Sequence, residues 1–191
     1  MLEALLVSTV VVAIGELGDK TQLLTLVLAA RYGKPWPIVG GIFVATLFNH
    51  TLAGWVGSWV RSELPPDVLR WALALSFFAV ALWALKPDQF ADEDAPPASS
   101  RNVFVVTIVA FFLAEMGDKT QIATAMLAAR FDSLAAVVAG TTLGMLLVDA
   151  PTAFIGKAAA ERIPFRAVRM IAAALFAGIG LWVLVAPTLA P

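Results

Sequence analysis

The chain contains no cysteine and little charge. Its 191 residues include one His, and only 14% of them are Asp, Glu, Lys or Arg. Without cysteine there can be no disulfide, thiolate metal site or cysteine nucleophile. Soluble domains usually carry about 25% charged residues, so the composition is untypical of one. The net charge of −1, with no basic cluster, predicts no nucleic-acid partner.

Apolar sequence takes the place of charge, because 60% of the residues are hydrophobic and they form long blocks. A helix needs about 20 apolar residues to cross a bilayer. Six candidate spans cover, roughly, residues 4–30, 37–60, 68–86, 103–129, 134–157 and 166–186. The N-terminal Met-Leu-Glu lacks the basic region of a signal peptide, so we expect the first helix to be retained. The sequence predicts an all-α integral membrane protein with six transmembrane helices.

The chain repeats itself at an offset of 99 residues. GELGDKTQ (15–22) returns as AEMGDKTQ (114–121), and 11 of the 16 positions from 16 to 31 are identical to their counterparts. This indicates a tandem duplication, with one three-helix repeat at 1–86 and a second at 103–191. The segment between them, 87–102 (PDQFADEDAPPASSRN), is acidic and rich in Pro and Ser, which is typical of a flexible linker.

Three spans per repeat is an odd number, so the two copies should enter the membrane from opposite sides as inverted repeats. Both motifs then lie near the bilayer midplane and face each other. The basic residues divide eight to three between the two sides, which predicts that the eight-residue side is cytoplasmic. The larger group is Arg31, Lys34, Lys86, Arg101, Lys157, Arg162, Arg166 and Arg169, and the smaller is Arg61, Arg70 and Arg130. Both termini are then outside and the linker is cytoplasmic.

Each motif puts three charges inside an apolar span, where a central Asp or Lys costs about 2.5–3.5 kcal/mol. We therefore expect these side chains to face one another or a water-filled cavity. On an ideal helix Glu16, Asp19 and Lys20 share one face. Gly18 allows close backbone approach or, alternatively, a break in the helix that frees carbonyl groups as ligands.

The charges of the two motifs suggest ion exchange. Four carboxylates and two ammonium groups leave −2, which one divalent cation or two protons neutralise, so each ion would expel the other. Oxygen ligands without cysteine suit Mn²⁺ or Ca²⁺ better than Zn²⁺ or Cu⁺. The expected metal ligands are Glu16, Asp19, Glu115, Asp118, Gln22 and Gln121. The expected supporting or proton-coupling residues are Lys20, Lys119, Thr21, Thr120, Asn49, His50 and Asp149, of which His50 and Asp149 align at the 99-residue offset.

Two copies of E-x-G-D-K-T in six apolar spans resemble uncharacterised protein family 0016 over essentially the whole chain. Its members include Golgi and chloroplast-envelope manganese/calcium transporters and bacterial manganese exporters. The resemblance implies cation/proton exchange with a cytoplasmic central loop, and its motif acids match Glu16, Asp19, Glu115 and Asp118. One departure is Asp149, where bacterial relatives often have Asn, because a fifth acid changes the charge count. The short length and the lack of a targeting peptide indicate a bacterial inner membrane.

The expected function is secondary transport of Mn²⁺, with Ca²⁺ as the second candidate, out of the cytoplasm in exchange for protons. The divalent ion and the protons would be its substrates, the lipid bilayer its surroundings, and no cofactor would be permanently bound. Na⁺ is an alternative coupling ion.

Other functions are also compatible with these charges. An amino-acid exporter would use them to bind a zwitterion. An intramembrane aspartyl protease built on Asp19 and Asp118 needs two bare aspartates, whereas each here has a Glu and a Lys nearby. Purely structural Asp–Lys pairs that fasten the halves together are the remaining alternative.

Overall fold

The computed structural model describes residues 1–87, 102–155 and 165–185. These residues form eight α-helices and no strand: α1 (Leu2–Glu16), α2 (Lys20–Tyr32), α3 (Pro35–Glu63), α4 (Pro66–Ala84), α5 (Val103–Glu115), α6 (Lys119–Arg130), α7 (Leu134–Ile155) and α8 (Phe165–Val185). The interior of the acidic linker and three of the basic residues counted above, Arg101, Lys157 and Arg162, lie outside the described residues.

Four of these helices, α3, α4, α7 and α8, are long and apolar enough to cross a membrane. The 29 residues of α3 measure about 43 Å at 1.5 Å per residue, more than the roughly 30 Å of the hydrocarbon core. Helix α5 is equally apolar but has only 13 residues. The all-helical, membrane-type class expected from the composition is therefore confirmed.

The first and fourth expected spans, 4–30 and 103–129, are not continuous helices. Each consists of two shorter helices separated by three residues, Leu17–Asp19 between α1 and α2 and Met116–Asp118 between α5 and α6. Gly18 and Gly117 have φ angles of 78° and 75°, a region that residues with a Cβ atom rarely adopt. The ideal-helix picture of the motif is therefore wrong, and the alternative of a glycine-permitted break describes it.

The helices of each half pack mainly against helices of the other half. The main partner of α1 is α7 from the other half, while α3 packs against α5 and α6, and α4 packs against α8. Phe77 and Phe176 are fully buried in the α4–α8 layer, and Phe111 and Met145 are fully buried in a second apolar cluster. Because the 99-residue offset relates α1 to α5 and α7 to α3, the α1–α7 and α3–α5 contacts are equivalent under the repeat.

Glycines on α7 bring it against the backbone of α1. A Cβ atom on Gly140 would collide with the Leu5 carbonyl, and one on Gly144 would lie 2.6 Å from the Thr9 carbonyl oxygen. The later glycine therefore faces the later residue of α1, so α1 and α7 run in the same direction.

Helices α3 and α5 make the equivalent contact. A Cβ atom on Gly41 would lie 2.6 Å from Thr107 Cβ, and further along Asn49 Nδ2 donates to the Phe112 carbonyl at 3.2 Å. Both residue numbers rise together along this interface. Helices α3 and α5 therefore also run in the same direction.

Helices α3 and α7 run in opposite directions. Trp36 at the start of α3 meets Phe154 at the end of α7, with ring centroids 5.1 Å apart. Near the other end of α3, a Cβ atom on Gly54 would lie 2.6 Å from Leu134, the first residue of α7. Helix α1 runs in the same direction as α7, and α5 in the same direction as α3. The first helices of the two halves, α1 and α5, therefore point in opposite directions.

The glycine contacts predict a selective loss of stability. A Cβ atom on Gly57 would overlap the Ala125 carbonyl, whereas one on Gly178 would have no neighbour within 4 Å. We expect Gly57→Ala to destabilise the fold by about 1–3 kcal/mol, the usual cost of overpacking, and the matched Gly178→Ala to leave stability unchanged or slightly raised. Thermal unfolding of the purified protein in detergent measures both. Equal melting temperatures for Gly57→Ala and the wild type would contradict the close helix approach.

Candidate functional site

The motif acids occupy the helix ends at the two breaks. Glu16 is the last residue of α1 and Asp19 precedes the first turn of α2. Glu115 and Asp118 hold the same places at the ends of α5 and α6. A helix end leaves backbone carbonyl or N–H groups without intrahelical partners, so both breaks place such groups next to buried carboxylates, although Gly18 itself is half-buried and Gly117 is exposed.

The side chains of the two motif glutamines accept hydrogen bonds from backbone N–H groups at the helix breaks. Gln22 Oε1 accepts a hydrogen bond from the Gly18 N–H at 2.8 Å, and Gln121 Oε1 accepts one from the Gly117 N–H at 2.7 Å. Both side chains were expected to be metal ligands. A carbonyl oxygen has two lone pairs, so each can still offer one while it holds the break.

Ion pairs across the two halves join the motifs. Lys20 Nζ lies 3.3 Å from Asp118 Oδ1, and Lys119 Nζ pairs with Asp19 Oδ1. Each lysine thus neutralises the aspartate of the opposite motif, which fits the role of counter-charge assigned to both from the sequence. The pairs differ in exposure, because the Lys20 side chain is 27% exposed and that of Lys119 is 5% exposed.

The two glutamates have different surroundings. Glu16 is fully buried, and neither of its carboxylate oxygens has a hydrogen-bond partner among the described residues. Glu115 is also buried, but its Oε1 accepts a 2.6 Å hydrogen bond from Thr120 and lies 3.8 Å from His50 Nε2. Both motif threonines also contact the aspartate of their own motif, Thr21 at 3.4 Å from Asp19 Oδ2 and Thr120 at 3.3 Å from Asp118 Oδ2.

A fifth carboxylate belongs to the same region. Asp149 on α7 is fully buried, and its Oδ1 accepts a 2.8 Å hydrogen bond from the Thr25 hydroxyl. It interacts electrostatically with both Glu16 and Glu115. Asp149 therefore adds a fifth acid to the charge near the motifs. With every acid ionised, five carboxylates and two lysines carry a net charge of −3.

His50 and Asn49 lie on the face of α3 that meets α5. His50 is fully buried, and neither ring nitrogen has a hydrogen-bond partner within the described ranges. Asn49 ties the two helices together through its bond to the Phe112 carbonyl. Thr25 and Thr152 were absent from the expected site. The repeat had flagged Thr25, which is identical to Thr124 at the 99-residue offset, but nothing in the sequence flags Thr152.

No group of three or more His, Asp or Glu side chains comes close enough to hold a metal ion within residues 1–87, 102–155 and 165–185. Asp19 and Asp118 pair with the lysines, and Glu115 and Asp149 accept hydrogen bonds from threonine hydroxyl groups. A divalent cation bound by these side chains would therefore use neutral oxygens as well as carboxylates, a mixture that hard cations accept.

The chain was compared with known proteins. The family model described as "Divalent cation/proton antiporter GDT1" matches residues 4–92 and 103–190, which are two separate stretches. A protein of Vibrio cholerae named "Putative manganese exporter" is 49% identical over 177 residues, covering 92% of this chain and 88% of the relative. A GDT1-like protein of Synechocystis is 30% identical over 196 residues, covering 92% and 94%. No solved structure matches the chain.

The buried pair Lys119–Asp19 predicts a non-additive effect on stability. Lys119→Met leaves the Asp19 charge buried without this ammonium group, and breaking a buried pair in this way costs about 3–5 kcal/mol. Lys119→Met combined with Asp19→Asn removes both charges, and we expect it to recover most of that loss. Unfolding by SDS in mixed micelles gives the free energies.

The control for this cycle is Asp132→Asn, which breaks the ion pair with Arg61 at a position where the Asp132 side chain is 85% exposed. Exposed pairs contribute about 1 kcal/mol or less, so this variant should unfold like the wild type. If Lys119→Met lowered the free energy of unfolding as little as Asp132→Asn does, the Lys119–Asp19 pair would have no part in holding the two halves together.

Proposed function

Because the chain belongs to the divalent cation/proton antiporter GDT1 family, we propose that it exports Mn²⁺ from the cytoplasm in exchange for protons. The family identified from the doubled motif is confirmed, and the chain is a transporter and not an enzyme. The protease alternative is therefore wrong. The relative from Vibrio cholerae, named as a manganese exporter, supports Mn²⁺ as the substrate, as does a site without sulfur ligands. Ca²⁺ remains the second candidate substrate.

The observation that carries the proposal is the reciprocal pairing of the motifs. Asp19 and Asp118 each pair with the lysine of the opposite motif, so the acids of both halves share one interior region. A divalent cation entering this region competes with the ammonium groups for the same oxygens, and protons compete with the cation. Since one ion removes the other, the two are exchanged rather than carried together.

We further propose that the protein crosses the membrane six times as two inverted three-helix repeats, with α1–α2 and α5–α6 as broken first spans. The opposite directions of α1 and α5 support this arrangement, as does the match of the family model to two separate stretches. Broken helices with ion-binding groups at their ends near the midplane are characteristic of secondary transporters built from inverted repeats.

The proposed topology, in a bacterial inner membrane, has both termini outside. Contacts at one end of the bundle support it. Arg61 near the end of α3 pairs with Asp132 in the α6–α7 connection. Arg130 at the end of α6 lies 4.8 Å from the ring of Trp182 near the end of α8. Two of the three basic residues counted as external therefore lie at one end of the bundle. The C-terminal end of α8 lies at the same end.

The transport proposal predicts loss of exchange when a motif aspartate loses its charge. In inside-out vesicles with an acidic lumen, the wild type should accumulate Mn²⁺, and Asp19→Asn or Asp118→Asn should reduce uptake by more than about tenfold, since even outer-shell changes at metal sites cost 10–100-fold. Glu63→Gln, at an exposed acid that ends α3, serves as the matched control and should transport normally.

Two results would count against this scheme. Equal uptake by the wild type and Asp19→Asn would remove Asp19 from the site. If wild-type uptake did not change with the proton gradient, whether or not a Na⁺ gradient was imposed in its place, protons would be removed from the transport cycle.

The topology predicts the accessibility of engineered cysteines, and the cysteine-free chain gives no background. A membrane-impermeant maleimide added to intact spheroplasts should label Ser62→Cys, near the end of α3, but not Ser99→Cys in the linker. After the cells are broken open, both variants should react. The reverse pattern in intact spheroplasts would invert the proposed orientation.

A further inference from the structure

Helices α2 and α7 are joined by two buried polar contacts spaced one helical turn apart. Gln22 Nε2 donates to Thr152 Oγ1 at 3.2 Å, and Thr25 Oγ1 donates to Asp149 Oδ1 at 2.8 Å. All four side chains are at most 5% exposed. We call this group the α2–α7 polar cluster.

The second half has no counterpart of this cluster. The positions related to it by the 99-residue offset are Gln121, Thr124, His50 and Ala53. An imidazole thus replaces the carboxylate of Asp149, and a methyl group replaces the hydroxyl of Thr152. The Thr124 hydroxyl contacts the Thr120 carbonyl at 2.8 Å, as the Thr25 hydroxyl contacts the Thr21 carbonyl at 3.0 Å, but of the two only Thr25 also contacts a carboxylate among the described residues. The duplicated halves therefore differ in chemistry at the same place.

Buried oxygens without partners lie on the side of the α2–α7 polar cluster. Asp149 Oδ2 and both oxygens of Glu16 have no hydrogen-bond partner in the described part of the chain, and both side chains are fully buried. The two carboxylates also interact electrostatically. Carboxylate oxygens removed from water need a compensating partner, and two ionised carboxylates cannot supply it to each other. Either a proton or a cation can, which are the two kinds of ion that the proposed exchange needs.

The glutamate of the second motif is better satisfied. One Glu115 oxygen already accepts the short hydrogen bond from Thr120 and lies near His50. Both neighbours engage Oε1, whereas Glu115 Oε2 has no hydrogen-bond partner among the described residues. The two glutamates align at the 99-residue offset, yet only Glu16 has both oxygens available.

We propose that the transported cation binds asymmetrically, on the side of the first repeat, to the carboxylates of Glu16 and Asp149, with the hydroxyls of Thr25 and Thr152 as neutral ligands. Asp149 is then a cation-binding residue that lies outside the doubled motif. This inference rests on the proposed function. Two carboxylates with hydroxyl oxygens belong to the all-oxygen sets that hard divalent cations prefer.

The inference is tested by titrating the purified full-length protein in detergent with Mn²⁺ in a calorimeter. Asp149→Asn keeps an oxygen for the Thr25 hydroxyl but removes the charge, so we expect affinity to fall by more than about tenfold. Thr152→Val should weaken binding less, because it removes a neutral ligand. Asp67→Asn, at an exposed acid in the first turn of α4, is the matched control and should bind like the wild type.

Pulsed EPR of bound Mn²⁺ gives a second measurement that does not depend on affinity. The wild type should show no coupling to a directly bound nitrogen, because His50 lies beside Glu115 and is not one of the proposed ligands. Asp149→His, which places the residue of the second half in the first, should introduce such a coupling. A nitrogen coupling in the wild type that disappears in His50→Ala would overturn the proposed asymmetry.

The outcomes separate this inference from the proposed function. If the wild type binds and exchanges Mn²⁺ and Asp149→Asn binds it equally well, the asymmetric site is wrong while the transport function stands. If the wild type neither binds nor exchanges Mn²⁺, both proposals fail. Should Asp149→Asn unfold, which its thermal unfolding curve would reveal, Thr152→Val and the wild-type EPR spectrum still decide the question.

Discussion

The rest of the fold depends on two ion pairs, one buried and one partly exposed, that each half can complete only with the other. A lysine or an aspartate in an apolar interior is costly unless an opposite charge lies beside it. Lys20 pairs with Asp118 and Lys119 with Asp19, so neither repeat can bury its own motif alone. The exchange of helix partners between the halves, with α1 against α7 and α5 against α3, follows the same logic and keeps the four charges together.

The same requirement explains the breaks. A continuous helix would satisfy all of its own backbone groups and would leave only side chains to meet an ion. Positive φ angles at Gly18 and Gly117 stop the helices beside the acids, where Gln22 and Gln121 hold the exposed N–H groups. The backbone N–H groups at the breaks are thereby satisfied by side chains, as broken transporter helices require.

The sequence was informative wherever the pattern was local or repeated. The apolar blocks predicted a helical membrane protein, and the 99-residue offset predicted that Asp19 and Asp118 hold equivalent places. Whether Gly18 merely permits a break or adopts one depends on the surrounding helices, because isolated propensity is a weak guide. Thr152 was beyond prediction, since it meets Gln22 130 residues away and such a contact depends on how two helices are tilted and rotated against each other.

Duplication creates two equivalent half-sites, but under the proposed asymmetric binding one divalent ion needs only one of them. Positions that bind no ion are then free to change, and Asp149 opposite His50 is such a divergence. This difference cannot set the direction of transport, because a carrier moves ions only as their gradients allow and a binding preference shifts only populations. It can decide which ion is held, since carboxylate and hydroxyl oxygens on one side and an imidazole on the other favour different cations. The asymmetry therefore bears on selectivity, while the paired motifs bear on exchange.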